Sequence, residues 1–361
     1  MSALLEKLRK NSTIKDVQAV SDSQFFAPAE FIKTPIPIIN LAFSAKVTGG
    51  FTSGLTVIAG PSKHFKSNLG LVLVASYLRK HEDGVCVFFD TEFGITPEYL
   101  AAMGIDTERV LHVPIEHVEQ LKFEMVKQLD GLEKKDNVMF FVDSVGNLAS
   151  KKEVEDALNE KSVADMTRAK ALKSLFRIVT PTLRTKEVPC VVINHTYETQ
   201  EMFSKTVVSG GTGIYYSANT IFIVGRSQEK DGTELAGYKF TINIEKSRAV
   251  REKLKFPFIV NFDGGIDPFS GLLDFAVDFG IVVKPNQQWY TRVLADENGE
   301  EIKDKKWRAS ETSTMEFWRP LLGSKEFRDY LEQRFALGQE DMIDRTTADE
   351  LVEELDTFLE E

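Results

Sequence analysis

The stretch LTVIAGPSKHFKSNLG, residues 55–70, carries most of the information about the fold. It begins as a short apolar run typical of a buried strand, passes through a polar loop and continues into the helical pattern LGLVLVASYLRK. The loop fits G-x-x-x-x-x-K-[ST] in the strand-to-helix context that a phosphate-binding loop requires. Its amides would hold phosphate oxygens, while Lys66 would neutralise the terminal phosphates and Ser67 would bind Mg²⁺. The predicted nucleotide-binding residues are Gly60, Pro61, Ser62, Lys63, His64, Phe65, Lys66, Ser67 and Asn68.

Phe65 stands where such a loop usually has its last glycine. A glycine lets the backbone approach phosphate with no side chain in the way. One alternative is therefore an ordinary strand-to-helix turn that happens to contain a lysine. If the loop does bind phosphate, the Phe65 ring has to point out of it, towards apolar neighbours.

The sequence on both sides of this loop predicts an α/β core with a mostly parallel sheet. Between residues 55 and 225, helical patterns alternate with apolar runs such as GVCVFFD, VMFFVDS, VPCVVINH and TIFIVGR. Runs without polar alternation are typical of parallel strands that helices cover on both faces. The later runs YKFTINIEKSR and FPFIVNFDGGID are joined by charged turns, which predicts antiparallel strands added to one edge.

We expect four segments along the chain. Residues 1–30 form an N-terminal helix and a linker, 31–267 form the core, 268–338 form a small α+β lobe and 339–361 form an acidic tail. The tail has ten acidic side chains against Arg345 alone, so it carries most of the net charge of -11. It is either a solvated segment or a competitor of polyanions for basic surfaces elsewhere on the chain. The nearly neutral remainder leaves nucleic acid open as a partner.

The lack of a membrane-spanning run and of a secretory pattern predicts a protein of the cytoplasm. No run approaches the length of a membrane-spanning helix, and the first twenty residues lack a secretory apolar region. Cys86 and Cys190 each lie within an apolar run. We expect them to be buried free thiols rather than a disulfide or a metal pair.

Two carboxylates follow strands that should lie beside the phosphate loop. The run VMFFVDS contains Asp143 at the end of its apolar part, and VCVFFD is followed by Thr91 and Glu92. Because the carboxyl ends of parallel strands meet at one edge of a sheet, both side chains should lie near the loop. Asp143 would hold Mg²⁺ through water, and Glu92 would orient the water that attacks a phosphate. A glutamate after a strand is usually just solvated. What favours a hydrolytic site is that the phosphate loop, Glu92 and Asp143 each follow a different strand of the same sheet.

Several segments occur in the order and spacing of RecA-type recombinases: GPSKHFKS, FFDTEFGITPEYLAAMGID, FFVDSVGNL, VVINH, SGGTGIYYSA, IEKSR and FDGGIDPFSGLLD. The chain resembles that family over roughly residues 30–320, and within it the branch of T-even bacteriophages. The resemblance implies an ATP-dependent DNA recombinase that forms helical filaments on single-stranded DNA. Such an enzyme catalyses homologous pairing and strand exchange in recombination, repair and recombination-dependent replication, here in the host cytoplasm if the chain is phage-encoded.

The resemblance also implies roles for single residues at the nucleotide site. Lys66 and Ser67 match the phosphate and Mg²⁺ residues of the family, and Glu92 matches its catalytic glutamate. Asp143 and Ser144 match the Walker B pair. ATP and Mg²⁺ are therefore the expected substrate and cofactor.

Further matches lie outside the phosphate loop. Tyr99 resembles the tyrosine that stacks on adenine, and Thr96 stands where the family often has an aspartate touching the base. Lys246 and Arg248 resemble two cations that reach the nucleotide of the adjacent subunit. They would stabilise the charge of the departing phosphoryl group only when neighbours are docked. His195 replaces a glutamine that links the terminal phosphate to the DNA loop, so it is expected to sense phosphate or else to be a satisfied core residue.

The segment 166–186 has six basic and no acidic side chains and predicts a helix with one basic face. The basic face is Lys170, Lys173 and Arg177, and the apolar face is expected to include Ala169, Leu172 and Phe176. This pattern fits either DNA phosphates or a merely solvated helix. Arg168 follows the region 151–166, which matches the first DNA loop of the family, and resembles a DNA-binding arginine.

A longer loop, residues 196–213, would complete the DNA surface. A loop of this length is uncommon in a compact domain unless it has a function. Gly210 and Gly211 could bring backbone amides against a phosphate, and Lys205 adds positive charge. Met202 and Phe203 could stack on bases or could pack on the base of the loop.

Phe25 and Phe26 are adjacent aromatic residues in the N-terminal linker. They could insert into a pocket of the next subunit, which would repeat head to tail into an open helix, or they could pack on their own core. The expected partners are single- and double-stranded DNA, further copies of the chain, a phage mediator and a single-strand-binding protein, with no membrane.

Two other functions remain open at this stage. A hexameric helicase with the RecA fold shares the nucleotide core, although the glycine-bearing loop speaks against it. A catalytically inactive recombination mediator is the other, and the presence of Lys66, Glu92 and Asp143 speaks against that.

Overall fold

A computed structural model describes residues 2–14, 17–23, 30–159, 167–199, 206–286, 288–295 and 301–338. The helices are α1 (Ala3–Asn11), α2 (Pro37–Ser44), α3 (Lys66–Lys80), α4 (Pro97–Ala102), α5 (Val118–Gly131), α6 (Lys151–Leu158), α7 (Thr167–Thr185), α8 (Thr212–Ser217), α9 (Leu273–Phe279), α10 (Met315–Gly323) and α11 (Lys325–Phe335). The strands are β1 (Gly54–Gly60), β2 (Val85–Asp90), β3 (Val110–Pro114), β4 (Val138–Asp143), β5 (Pro189–Glu198), β6 (Thr206–Val208), β7 (Thr220–Asp231), β8 (Glu234–Lys246), β9 (Lys255–Asn261), β10 (Gly265–Ile266), β11 (Val282–Val283), β12 (Trp289–Ala295) and β13 (Glu301–Arg308).

Ten of the described strands form one sheet in the order β10-β9-β8-β7-β1-β5-β4-β2-β3, with β6 paired to β5. The strands from β7 to β3 in this order are parallel, whereas β8, β9 and β10 are antiparallel additions at one edge. The predicted α/β core and its antiparallel edge are both confirmed. The register aligns Gly60 with His195 and Asp90 with Asp143, so the predicted polar groups meet at one edge of the sheet.

Strand β1 is buried along its whole length because helices cover both faces of the sheet. Ile58 belongs to a core that includes Leu69 of α3, and Val57 belongs to a second core that includes Phe176 of α7. This double coverage explains why the central strands are apolar without alternation. Cys86 and Cys190 are buried and free, as expected, and burial raises the pKa of both thiols.

The two ends of the described chain differ in how they pack. Helix α1 buries none of its residues and exposes Leu4, Leu5 and Leu8. The C-terminal lobe combines the small sheet β11-β12-β13 with α9, α10 and α11, and Phe335 packs on Phe256 of the core with ring centroids 5.1 Å apart. No helix within the described ranges combines the length and the apolarity needed to cross a membrane.

Candidate nucleotide site

The polar loop between β1 and α3 forms one wall of a cavity of about 310 Å³. The cavity lies at the carboxyl edge of the sheet and brings Lys66 and Ser67 of the loop together with predicted residues from other strand ends, which are Glu92, Asp143 and His195. The Arg226 guanidinium on β7 donates to the carbonyl oxygen of Lys63 at 3.0 Å, which fixes the middle of the loop. Ser62, Lys63, His64, Phe65 and Asn68 line the same cavity.

Phe65 keeps its ring out of the phosphate cradle by adopting a left-handed backbone with φ +62°. The ring packs against Phe240 and Phe258 of the antiparallel edge, with centroids 4.9 Å and 5.8 Å away. A left-handed backbone costs a residue with a Cβ about 1–2 kcal/mol, and the aromatic contacts offset this strain. The expected orientation of the ring is confirmed.

Lys66 begins α3 and its side chain is buried under the loop. Its ammonium donates to the carbonyl oxygen of Pro61 at 2.8 Å. Burial lowers the pKa of Lys66, and the negative charges of Asp143 and Glu92 oppose that effect. A buried cation therefore lies near two carboxylates in this cavity, and the loop adds the cationic side chain of Lys63 to its lining.

Asp143 ends β4 and is 4% exposed. Burial is the main reason that its pKa rises to about 6, and the nearby charges of Glu92 and Asp90 act in the same direction. Its Oδ1 atom is buried without a hydrogen-bond partner, which is uncommon for a carboxylate oxygen. A cation or the water bound to one would satisfy this atom.

Glu92 is held in place by contacts that sequence reasoning did not identify. The Ser144 hydroxyl donates to Oε1 of Glu92 at 2.7 Å. Oδ1 of Asp90 accepts hydrogen bonds from the backbone N–H groups of Glu92 and Phe93 at 3.0 and 2.8 Å, and Oδ2 lies 3.1 Å from Nε2 of His112. This role of Asp90 could have been predicted from the sequence, because an aspartate at the end of a strand often accepts hydrogen bonds from the backbone amides two and three residues later.

His195 lies across the cavity from Glu92, with Nε2 3.6 Å from Oε1 of the carboxylate. This nitrogen is buried and has no hydrogen-bond partner. Its ring rests on the backbone of Gly146, where a Cβ atom would lie 2.0 Å from Cδ2 of the imidazole. The alternative of a satisfied core histidine therefore does not describe this residue.

Tyr99 and Thr96 lie beside the cavity at the start of α4. The Tyr99 hydroxyl donates to Oδ1 of Asn68 at 2.8 Å, and Tyr99 as a whole residue is 40% exposed. The Thr96 hydroxyl accepts from the backbone N–H of Tyr99 and so caps the helix. A mostly apolar groove of about 510 Å³ adjoins this region and shares Phe65 and Asn68 with the phosphate cavity.

Lys246 and Arg248 are not brought to this cavity. The Lys246 ammonium donates to the carbonyl oxygens of Tyr215 and Tyr216 at the end of α8. Arg248 lines a cavity with Ser53, at the amino end of β1. Since β1 rises about 3.3 Å per residue, Arg248 lies roughly 15–20 Å from the phosphate loop of its own chain.

The predicted DNA surface is only partly described. Lys170, Lys173 and Arg177 are exposed on α7, as expected. Ala169 was wrongly assigned to the apolar face, because it is exposed while Leu172, Leu175, Phe176, Val179 and Leu183 are buried. Arg168 turns inwards and donates to backbone carbonyl oxygens of residues 145, 146 and 148.

The rest of that surface is the loop before α8. Gly210 and Gly211 form its end with φ of +92° and +75°, beside α7. Met202, Phe203 and Lys205 lie outside the described residues, as do Phe25 and Phe26 of the linker.

A metal site of the histidine, cysteine and carboxylate type is absent from the part of the chain that the structure describes. The donors at the cavity are instead a hydroxyl, Ser67, and a carboxylate, Asp143. Hard oxygen donors that leave room for phosphate oxygens are typical of Mg²⁺ sites.

Comparisons with known proteins agree with this geometry. The profile of the RecA N-terminal domain matches residues 27–267, and the profile of the C-terminal domain of the bacteriophage T4 recombination and repair protein matches residues 269–331. The recombination and repair protein (UvsX) of Enterobacteria phage T4 is 55% identical over 98% of this chain and 91% of its own length. Protein RecA of Arthrobacter sp. is 28% identical over 81% of each chain, and that of Malacoplasma penetrans is 26% identical over 80% of this chain and 88% of its own. The chain therefore belongs to the RecA family of DNA recombinases, which are DNA-dependent ATPases of recombination and repair.

Proposed function

We propose that the chain hydrolyses ATP with Mg²⁺ between adjacent copies of itself, in a helical filament on single-stranded DNA, and there promotes homologous pairing and strand exchange. The observation that carries this proposal is the separation of two half-sites within one chain. Lys66, Glu92 and Asp143 lie at the carboxyl edge of the sheet, and Arg248 lies at the amino edge.

The donors at the cavity fit a magnesium nucleotide. The unpartnered Oδ1 of Asp143 and the Ser67 hydroxyl would hold Mg²⁺, while the loop amides and Lys66 would hold the phosphates. Bound Mg²⁺ would neutralise charge on the phosphate oxygens. The adjoining apolar groove and the exposed Tyr99 ring suit a base, so adenine would lie outside the phosphate cavity.

Glu92 would orient the water that attacks the terminal phosphate. The Ser144 hydroxyl holds its carboxylate, and Asp90 holds its backbone by accepting hydrogen bonds from the N–H groups of Glu92 and Phe93. A fixed carboxylate suits a reaction whose catalysis depends on positioning and electrostatics. His195 faces the same oxygen of Glu92 and would sense the presence of the terminal phosphate.

Arg248 and Lys246 would act on the nucleotide of a neighbouring copy. A cation that reaches a departing phosphoryl group stabilises its charge, and one that lies at the opposite edge of the sheet can do so only from another subunit. Turnover and assembly would then depend on each other.

Exposed apolar groups support head-to-tail assembly. Among the described strands, β3 lies at one edge of the large sheet and exposes Leu111, and Phe123 of α5, the next helix along the chain, is 59% exposed. An edge strand with apolar side chains is a template for docking another chain. We propose that the linker with Phe25 and Phe26 of the next copy docks on this side.

Single-stranded DNA would lie along α7 and the loop that ends at Gly210 and Gly211. Lys170 and Lys173 are exposed on the same stretch of α7, where Gly213 of α8 packs directly against Lys173. Contacts with phosphate would hold any sequence, and base pairing would supply the recognition of homology. A mediator, a single-strand-binding protein and a location in the host cytoplasm are proposed on the phage resemblance alone.

Mixing two inactive variants tests the shared site. Lys66→Ala loses the phosphate half-site and Arg248→Ala loses the other, so neither should hydrolyse ATP with single-stranded DNA. In an equal mixture about one interface in four would join two intact halves, so turnover should recover to about a quarter of the unmodified rate. A mixture that stays inactive would contradict a site shared between copies.

Electron microscopy with a slowly hydrolysed ATP analogue and single-stranded DNA distinguishes the remaining alternatives. Open helical filaments are expected. Closed rings with duplex unwinding would indicate a hexameric helicase instead. Absence of turnover with and without DNA in the unmodified chain would indicate an inactive mediator.

A further inference from the structure

Arg168 uses its guanidinium inside the chain and not on the surface of α7. Nε donates to the carbonyl oxygen of Leu148 at 2.7 Å, and Nη2 donates to that of Val145 at 2.9 Å and to that of Gly146. A guanidinium carries its donors in a rigid planar fork, so carbonyl groups that it joins are fixed relative to one another. Arg168 therefore clamps the segment 145–148 to the first turn of α7.

The helical phase places Arg168 on the inward side of α7. The buried stripe of this helix runs through Leu172, Phe176, Val179 and Leu183. One turn before Leu172, at four residues, the same stripe reaches residue 168. Lys170 and Lys173 lie on the exposed side.

The clamped segment leads directly to the carboxylate that orients water. It follows Ser144, whose hydroxyl donates to Oε1 of Glu92 at 2.7 Å. On its other side, the backbone of Gly146 supports the His195 ring so closely that a Cβ atom would collide with it. Nε2 of that ring lies 3.6 Å from the same Oε1 of Glu92.

The segment is also hydrogen-bonded to the sheet, and Arg168 joins it to α7. Val145 and Leu148 of the segment belong to the same apolar core as Leu172 of α7. The backbone N–H of Val145 donates to the carbonyl oxygen of Ile193 at 3.0 Å, and Ala149 bridges to His117. Helix α7 in turn packs on Gly210 in the loop before α8, through Leu172, and on Gly213 in the first turn of α8, through Lys173. A shift of α7 against the sheet would thus pull on the carbonyls of 145–148.

We propose that Arg168 is a positioning residue that transmits the position of α7 to Glu92 and His195 through the segment 145–148, and that it makes no contact with DNA phosphate. This proposal deepens the proposed function, since it assigns the connection between the DNA surface and the hydrolytic site. Docking of DNA on the exposed side of α7 would move the clamp, and the clamp would set the geometry of the catalytic carboxylate.

The first experiment uses the NMR signals of the His195 imidazole to detect loss of the Arg168 contacts in the nucleotide-free, full-length protein. The chain has five histidines, so ¹⁵N-histidine labelling gives few side-chain signals, and His195→Gln assigns the one of interest. Arg168→Lys keeps the charge and the stem but loses the planar fork. It should shift the imidazole resonances of His195 and leave those of His81, at the far end of α3, unchanged. Lys170→Ala should leave the His195 resonances in place.

The second experiment separates positioning from phosphate contact. In Arg168→Lys and Arg168→Ala, kcat for ATP at saturating single-stranded DNA should fall about tenfold or more, because small misplacements of catalytic groups have large effects. The KM for ATP and the dependence of DNA affinity on salt should stay unchanged. Lys170→Ala provides the comparison, because the loss of one phosphate contact should reduce the salt slope by about 0.7.

Two results would overturn the proposal. One is a His195 resonance that does not move in Arg168→Lys, a result that counts whether or not the unmodified chain hydrolyses ATP. The other is a salt slope that falls by about 0.7 in Arg168→Ala with kcat unchanged at saturating DNA, as for a direct phosphate contact. If the unmodified chain shows no turnover stimulated by DNA, the proposed function fails, and the histidine spectra still decide on the clamp.

Discussion

Replacing Asp143 with asparagine should stabilise the nucleotide-free chain, and should do so more at pH 8 than at pH 5. Burial raises the pKa of Asp143 from 3.8 to about 6. Because the pKa in the folded chain is above that in the unfolded chain, the carboxyl group favours folding at low pH, and this contribution is lost as the pH rises through 6. Asparagine keeps the shape of the side chain and cannot ionise.

The size of the effect follows from the two pKa values. One pKa unit corresponds to about 1.36 kcal/mol, so ionised Asp143 destabilises the folded chain by about 3 kcal/mol at pH 8 relative to its protonated form. About half of this loss has already occurred at pH 5, because pH 5 lies above the pKa that Asp143 has in the unfolded chain. The free energy of unfolding of Asp143→Asn, relative to the unmodified chain, should therefore increase by roughly 1 kcal/mol between pH 5 and pH 8.

Urea unfolding of both proteins at the two pH values measures this difference. Asp263→Asn is the matched control for the loss of one carboxylate, because Asp263 is exposed in the turn after β9. If the stability difference between Asp143→Asn and the unmodified chain did not change between pH 5 and pH 8, burial of the charge would not be the dominant property of Asp143. The same variant should lose magnesium-dependent binding of ATP, which would show that the carboxylate is retained for function at the expense of stability.

Three further substitutions test the site. Lys66→Ala should remove ATP turnover, because the terminal phosphates lose their buried cation. A turnover rate above a tenth of normal, which means a rise of less than about 1.4 kcal/mol in the activation free energy, would contradict this. Glu92→Gln should bind nucleotide normally but slow hydrolysis by orders of magnitude, and unchanged turnover would mean that Glu92 does not orient water. Phe65→Gly relieves about 1–2 kcal/mol of strain but loses about 2–3 kcal/mol of ring burial, so urea unfolding should show a net loss of about 1 kcal/mol.

The phosphate loop and the strand ends could be predicted because each depends on a local pattern and one rule of topology. An apolar run, a polar loop that ends in Lys66 and a helical pattern are readable without knowledge of the rest of the fold. The rule that parallel strands end at one edge then places Asp143 and Glu92 near the loop. Which strands are neighbours is not local, so the alignment of Gly60 with His195 needed the structure.

The contacts of Arg168 could not be predicted from the same patterns. The spacing of polar and apolar residues indicates which face of α7 is buried. Ala169 is small enough to fit either face, and counting it as apolar placed the start of the buried face at residue 169 and not at residue 168. With Leu172 and Phe176 as the reference, the stripe reaches Arg168. Even so, the partners of the guanidinium are carbonyl groups about twenty residues away, which carry no side-chain signature.

Among the described residues, the side chains with a buried polar atom that has no hydrogen-bond partner are Asp143, His195, Asn219 and Thr180, and Thr180 lies on α7 outside both cavities. The first two lie in the phosphate cavity, and Asn219 lies in the cavity that Arg248 lines at the opposite edge. Leaving such a group unsatisfied costs about 1–3 kcal/mol, so each is a place where a bound group would stabilise the chain. A nucleotide held between two copies would reach one cavity from each copy, and this is the physical reason to expect nucleotide binding and assembly to favour each other.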